Sequence, residues 1–122
     1  MFRFIALIIA FIILIFAIVS KTNNNKTPKS TTNGIESIII EKNRFIPTSL
    51  TISNGDTITI TNKDSATHQV ASDPHPSHDF NPKLNLNILF PGETATVTLT
   101  QKGNFGFHDE FNPGIKGKVI VE

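Results

Sequence analysis

From residue 35 onward, apolar and polar residues alternate with a period of two. Ile58 and Ile60 alternate with Thr57, Thr59 and Thr61, and Ala95, Val97 and Leu99 alternate with Thr94, Thr96, Thr98 and Thr100. Such alternation marks strands with one buried face. Further strands are predicted at residues 35–41, 45–52, 68–70, 105–107 and 118–121, about seven in all. Pro47 inside the second of these predicts an edge position, because proline has no N–H to give a neighbouring strand. Asn54-Gly55-Asp56 and Asn62-Lys63-Asp64-Ser65 read as turns, and Asn112-Pro113-Gly114 as the turn of a closing hairpin. Residues 72–92 are proline-rich and aperiodic. They predict a long loop, and long ordered loops in small domains are often functional. No helical period follows residue 20, so the expected fold is an all-β antiparallel sandwich.

The chain before residue 35 has a different character. Residues 4–19 are uncharged and apolar, between Arg3 and Lys21. That is the short end of the roughly 17–25 residues a spanning helix needs. Residues 1–20 are therefore expected to form one hydrophobic helix. An uncleaved membrane anchor is favoured over a signal peptide, because the run is long for a signal core and lacks an A-x-A cleavage site. Residues 21–34 are polar throughout and read as a flexible linker. Residues 35–122 are left as the folded domain. Its expected location is outside the cell membrane on a single-pass anchor, or secreted or periplasmic if the helix is cleaved.

Charge and composition narrow the chemistry. The formal net charge is +1, with 11 Lys and Arg against 10 Asp and Glu. Arg3, Lys21, Lys26 and Lys29 all precede residue 35, and every acid follows it. The domain is thus mildly acidic, which argues against nucleic acid as a partner and suits a small cation. There is no cysteine, which removes disulfides, thiolate ligands and cysteine nucleophiles together. No nucleophile elbow or phosphate-binding glycine loop occurs. Asp109 and Glu110 are adjacent on one loop, a poor arrangement for carboxylates that must flank a substrate.

All four histidines, His68, His75, His78 and His108, lie in turns, loops or strand ends. His75 and His78 are flanked by prolines in Asp73-Pro74-His75-Pro76-Ser77-His78-Asp79. His108 ends the aromatic strand of Phe105 and Phe107 and opens His108-Asp109-Glu110. Taken singly, each is more often a solvated or capping residue. A sandwich gathers loops at one end, however, so together they predict a metal site. Imidazole with carboxylate suits copper, zinc or iron rather than hard ions.

The order Phe45-x-Pro47, Leu50-x-Ile52-x-x-Gly55-Asp56-Thr57-Ile58-x-Ile60-x-Asn62-x-Asp64-x-x-x-His68-x-Val70, Pro91-Gly92-Glu93, Gly103-x-Phe105-x-Phe107 and Gly117-x-Val119-x-Val121 resembles the cupredoxins, the plastocyanin- and azurin-like small copper proteins. The resemblance covers nearly all of residues 35–122. It implies a Greek-key sandwich with copper at one end, one ligand at the position of His68 and the rest, Cys, His and usually Met, from the last hairpin. Here His108 is read at the cysteine position, Glu110 or Phe111 near the second histidine, and Ile115 at the methionine. A blue copper–thiolate site is excluded. The expected ligands are His68, His108 and one or both of His75 and His78, with Glu110 as an oxygen ligand or anchor. Asp73, Asp79 and Asp109 are close enough in sequence to orient them.

The resulting expectation is a non-blue copper-binding protein for copper carriage, storage or one-electron redox at the cell surface, with no assigned protein partner. Two rivals remain. One is a mononuclear His/carboxylate enzyme acting on oxygen or superoxide. The other is a metal-free sandwich used for adhesion.

Overall fold

The computed structural model describes residues 33–122. The expected N-terminal helix and most of the linker lie outside these residues. Among the described residues no helix is long and apolar enough to cross a membrane.

Eight strands form two four-stranded sheets. They are β1 (Ile35–Ile40), β2 (Phe45–Ile46), β3 (Ser49–Ile52), β4 (Thr57–Asn62), β5 (Val70–Ser72), β6 (Thr94–Thr98), β7 (Gly103–Asp109) and β8 (Asn112–Val121). One sheet has the order β2-β1-β4-β6 and the other β3-β8-β7-β5. The single extended segment expected at 45–52 is thus two strands in different sheets. The chain crosses between them at Pro47, and both β2 and β3 are edge strands, where a missing N–H costs no ladder bond.

That crossing also corrects the expectation of a purely antiparallel sandwich. β1 pairs with β4, and β3 with β8, in parallel. The chain leaves the first sheet after β2 and returns to it as β4, running the same way as β1.

The alternating residues meet between the sheets. Ile38, Ile40, Ile58, Ile60 and Val97 from one sheet face Ile52, Val70, Phe105, Phe107, Val119 and Val121 from the other. Phe45 packs edge-on against Phe107, with ring centroids 4.8 Å apart. Gly117 pairs with Phe107 across β7 and β8, and the Phe107 ring lies where a Cβ on Gly117 would sit.

Two inward rows end in polar residues. On β4, Ile58 and Ile60 are followed by Asn62, which is fully buried. Its side chain donates to Ala66 O and Leu89 O and accepts from Asp64 N. On β7, Phe105 and Phe107 are followed by Asp109, 1 % exposed. Period two carries both groups inward, and their hydrogen bonds offset the cost of burial.

Asp64 ties the β1–β2 turn to this end. Its Oδ1 accepts from Lys42 N at 2.6 Å and its Oδ2 from Asn43 N at 3.0 Å. Lys42 and Asn43 have φ of 52° and 53°, the left-handed backbone of a tight hairpin turn. Burial raises the Asp64 carboxyl, but the backbone N–H groups of Asn43 and Lys42 and the His68 ring outweigh it and hold it below its ordinary value. Its contribution is therefore whole above pH ~4 and fades as pH falls through the lowered folded value. Asp64→Asn is expected to cost about 1–2 kcal/mol in urea melts at pH 7. The difference from wild type should shrink at pH 3, and an equal difference at both pH values would reject this account.

Candidate metal centre

The loop after β5 folds back over the outer face of β7. Asp73 N donates to Gly106 O at 3.0 Å, and the Asp73 carboxylate sits where a Cβ on Gly106 would be, so only glycine lets the loop come this close. His78 N donates to Pro74 O at 2.8 Å, closing one turn that sets His75 and His78 on the same side. His78 has φ 54°, a left-handed conformation uncommon outside glycine and worth attention where it bears a functional group. Asn85 pins the loop from below, its Oδ1 accepting from Ser72 N and its Nδ2 donating to His78 O.

His108 rises from β7 beneath this loop. Phe105, Phe107 and Asp109 point inward, so period two turns His108 outward, where the loop covers it to 1 % exposure. The three rings of His75, His78 and His108 form a near-equilateral triangle, with centroids 5.2–5.4 Å apart. Glu110 completes the group. Its N–H donates to Gln69 O at 2.7 Å, fixing the hairpin tip against the start of β5.

Glu110 Oε2 lies 3.3 Å from His75 Nδ1, 2.9 Å from His78 Nε2 and 3.3 Å from His108 Nε2. His75 Nδ1 and His78 Nε2 are 3.3 Å apart. One donor atom from each of the four residues lies within 4.8 Å of every other. A metal holding four N and O donors at about 2.0–2.1 Å separates neighbouring donors by about 2.8–3.4 Å, from square to tetrahedral angles. The residues fit such an ion in donor chemistry, and the separations of 2.9–3.3 Å among Glu110 and the three histidines lie in that range. Burial raises the Glu110 carboxyl, but hydrogen bonding from His108 and His75 and the charges of His78 and His75 pull it below its ordinary value.

His108 Nδ1 donates to Asp73 Oδ1 at 2.7 Å. That bond fixes the ring and leaves Nε2 directed at the group, the arrangement by which a carboxylate orients a ligating histidine. Of the three aspartates considered for this role, Asp73 takes it, Asp109 lies elsewhere, and Asp79 makes no such contact among the described residues.

His68, expected with the other histidines, stands apart. Its Nδ1 meets Asp109 Oδ2 at 2.9 Å and its Nε2 meets Asp64 Oδ2 at 3.0 Å. Both ring nitrogens face carboxylates, so each lies within hydrogen-bond reach of an acceptor. The two acids lie on opposite sides of the ring. Asp109 Oδ1 additionally accepts from Gln69 N and Phe111 N.

The hairpin differs in detail from expectation. It turns at Glu110-Phe111, while Asn112-Pro113-Gly114 lies within β8. His108 pairs with Lys116 and Asp109 with Asn112, so Pro113, Gly114 and Ile115 bulge from the ladder. This part of β8 extends past the end of β3, where proline is tolerated. The hairpin residue that meets His68 is Asp109. His108, read at the position of the family's cysteine, lies one residue before Asp109 and on the opposite face. Phe80 and Lys116, which flank the cluster, were not singled out by the sequence. Strand alternation across a known register would have found Lys116.

A family model for the cupredoxin-like domain matches residues 8–121. The plastocyanin of Cucumis sativus is 32 % identical over 85 residues, covering 63 % of this chain and 86 % of that protein. A chloroplastic plastocyanin of Oryza sativa subsp. indica is 37 % identical over 83 residues, covering 63 % of this chain and 54 % of that protein. Among solved structures, a purple cupredoxin from Nitrosopumilus maritimus superposes with a TM-score of 0.63 at 25 % identity, covering 71 % of this chain and 99 % of that one. A reduced amicyanin variant superposes with a TM-score of 0.60 at 25 % identity, covering 72 % of this chain and 82 % of that one. Sheet order, buried rows and family match agree, and the chain belongs to the cupredoxin-like family, as a member without cysteine.

Proposed function

We propose that this protein binds one copper ion through His75, His78, His108 and Glu110 and serves as a copper carrier or store, with one-electron redox second. The observation that carries the reading is the convergence of four donor atoms, one from each residue, within 4.8 Å of one another. Copper is the metal because the family is one of copper-binding, electron-transfer proteins. Nitrogen and oxygen donors also generally prefer Cu(II) over the other first-row divalent ions. Nothing among the relatives speaks for zinc or iron. The convergence of three histidines counts against a metal-free adhesion module.

When bound, copper would supply one-electron chemistry between Cu(II) and Cu(I). The chain's own residues do the rest. His108 holds a fixed, buried donor, His75 and His78 bring the loop donors, and Glu110 brings a negative charge. The apolar run of residues 4–19 supports a membrane anchor, residues 21–34 a tether, and residues 35–122 the domain it would carry outside the membrane.

Titration of the metal-free protein with Cu(II) should saturate at one ion per chain. The loaded protein should show nitrogen hyperfine coupling from imidazoles by electron paramagnetic resonance and no intense thiolate-to-copper band. The double substitution His75→Ala with His78→Ala should abolish that signal. Saturable binding with the same spectrum in the double variant would overturn the assignment.

A further inference from the structure

A cleft of about 350 Å³ opens beside the candidate ligands His75 and His108. That is near the lower limit of small-molecule sites. Phe80, Pro74 and Pro113 give it apolar walls, and Phe80 is 61 % exposed. Lys116 stands on the side formed by β8. The register pairs Lys116 with His108, so the two side chains leave the same face of the sheet as direct neighbours. Among the described residues no carboxylate pairs with the Lys116 ammonium. Asp73 also lines the cleft, but its Oδ1 is taken up by His108.

We infer that this cleft admits a small monoanion, such as a carboxylate, as an exogenous ligand of the bound metal, with Lys116 as its positioning residue. The inference rests on the metal reading above. The charges decide the sign of the ligand. A divalent copper ion and Lys116 together outweigh Glu110 and Asp73 by one positive charge, so the loaded cleft attracts an anion. The side chain of His75, 44 % exposed, marks the side on which the group is open. A small carboxylate would set its oxygens towards the metal and Lys116, and its hydrocarbon part against Phe80 and the prolines.

Azide is a suitable probe because its charge-transfer band to Cu(II) reports coordination directly. Titrating the copper-loaded chain with sodium azide should give a saturable band and a shifted paramagnetic resonance spectrum. Perchlorate at equal ionic strength should change neither. Acetate should compete with azide. Lys116→Met should weaken azide binding at least fivefold while copper affinity stays within twofold, and Lys116→Arg should restore most of the loss. Copper binding without any azide response, or an equal response in Lys116→Met, would overturn this inference and leave the metal reading standing. A chain that takes up no copper would overturn both.

Discussion

Replacing His68 by alanine is expected to destabilise the fold by about 3–5 kcal/mol, the range for breaking a buried ion pair from one side. The substitution leaves the Asp109 carboxylate 1 % exposed without its partner at Oδ2, and leaves Asp64 without one of its contacts. The backbone donors at Asp109 Oδ1, Gln69 N and Phe111 N, cannot reach across to replace the ring. His68→Gln, which keeps one donor, should lose less. Urea denaturation of the metal-free protein measures the loss. Copper titration of the folded fraction at low temperature measures the rest of the claim, because affinity should stay within twofold of wild type. A tenfold loss of copper affinity with stability preserved would instead make His68 a ligand.

His108→Ala should act in the opposite sense, lowering copper affinity at least tenfold with the fold intact. His108 is the donor already fixed before metal arrives. It is covered by the loop, its Nδ1 is held by Asp73 at 2.7 Å, and its Nε2 already faces Glu110. His75 is far more exposed and must lose side-chain freedom on binding. Asp73→Asn keeps an acceptor for Nδ1 but weakens the orienting charge, so its loss should be smaller than that of His108→Ala. Competition with a chelator of known affinity gives both values. Unchanged affinity in His108→Ala would remove the hairpin from the site.

Much of the sandwich is legible in the sequence because its strands have one buried face. Thr57–Thr61 and Thr94–Thr98 place their isoleucines, alanine and valine inward as the alternation requires. The meeting of His75, His78, His108 and Glu110 is legible in part, since a sandwich gathers its loops, but all four histidines sit in turns, loops or strand ends and the sequence does not set His68 apart. What is not legible depends on pairing. Pro47 signals an edge, but not that the chain changes sheets there, and the parallel pairs follow from that change. Asn112-Pro113-Gly114 has turn chemistry, yet the ladder turns earlier and spends these residues as a bulge. That Asp109 and not His108 meets His68 follows from the alternation along β7. Phe105, Phe107 and Asp109 share one parity along β7, and only the residues of that parity can meet His68 across the core. The pairing of His68 with Asp64 was less accessible, because it depends on the conformation of the turn between them.

The chain of contacts from the Lys42-Asn43 turn through Asp64 and His68 to Asp109 joins residues far apart in sequence and braces both sheets at one end. In many small exported domains a disulfide does that job. A disulfide yields to reductants, whereas this brace contains no sulfur and answers only to protons and salt. The fold should therefore melt at the same temperature with or without dithiothreitol. On the proposed copper reading, a metal that oxidises thiols as it cycles would meet a scaffold that offers it no cysteine.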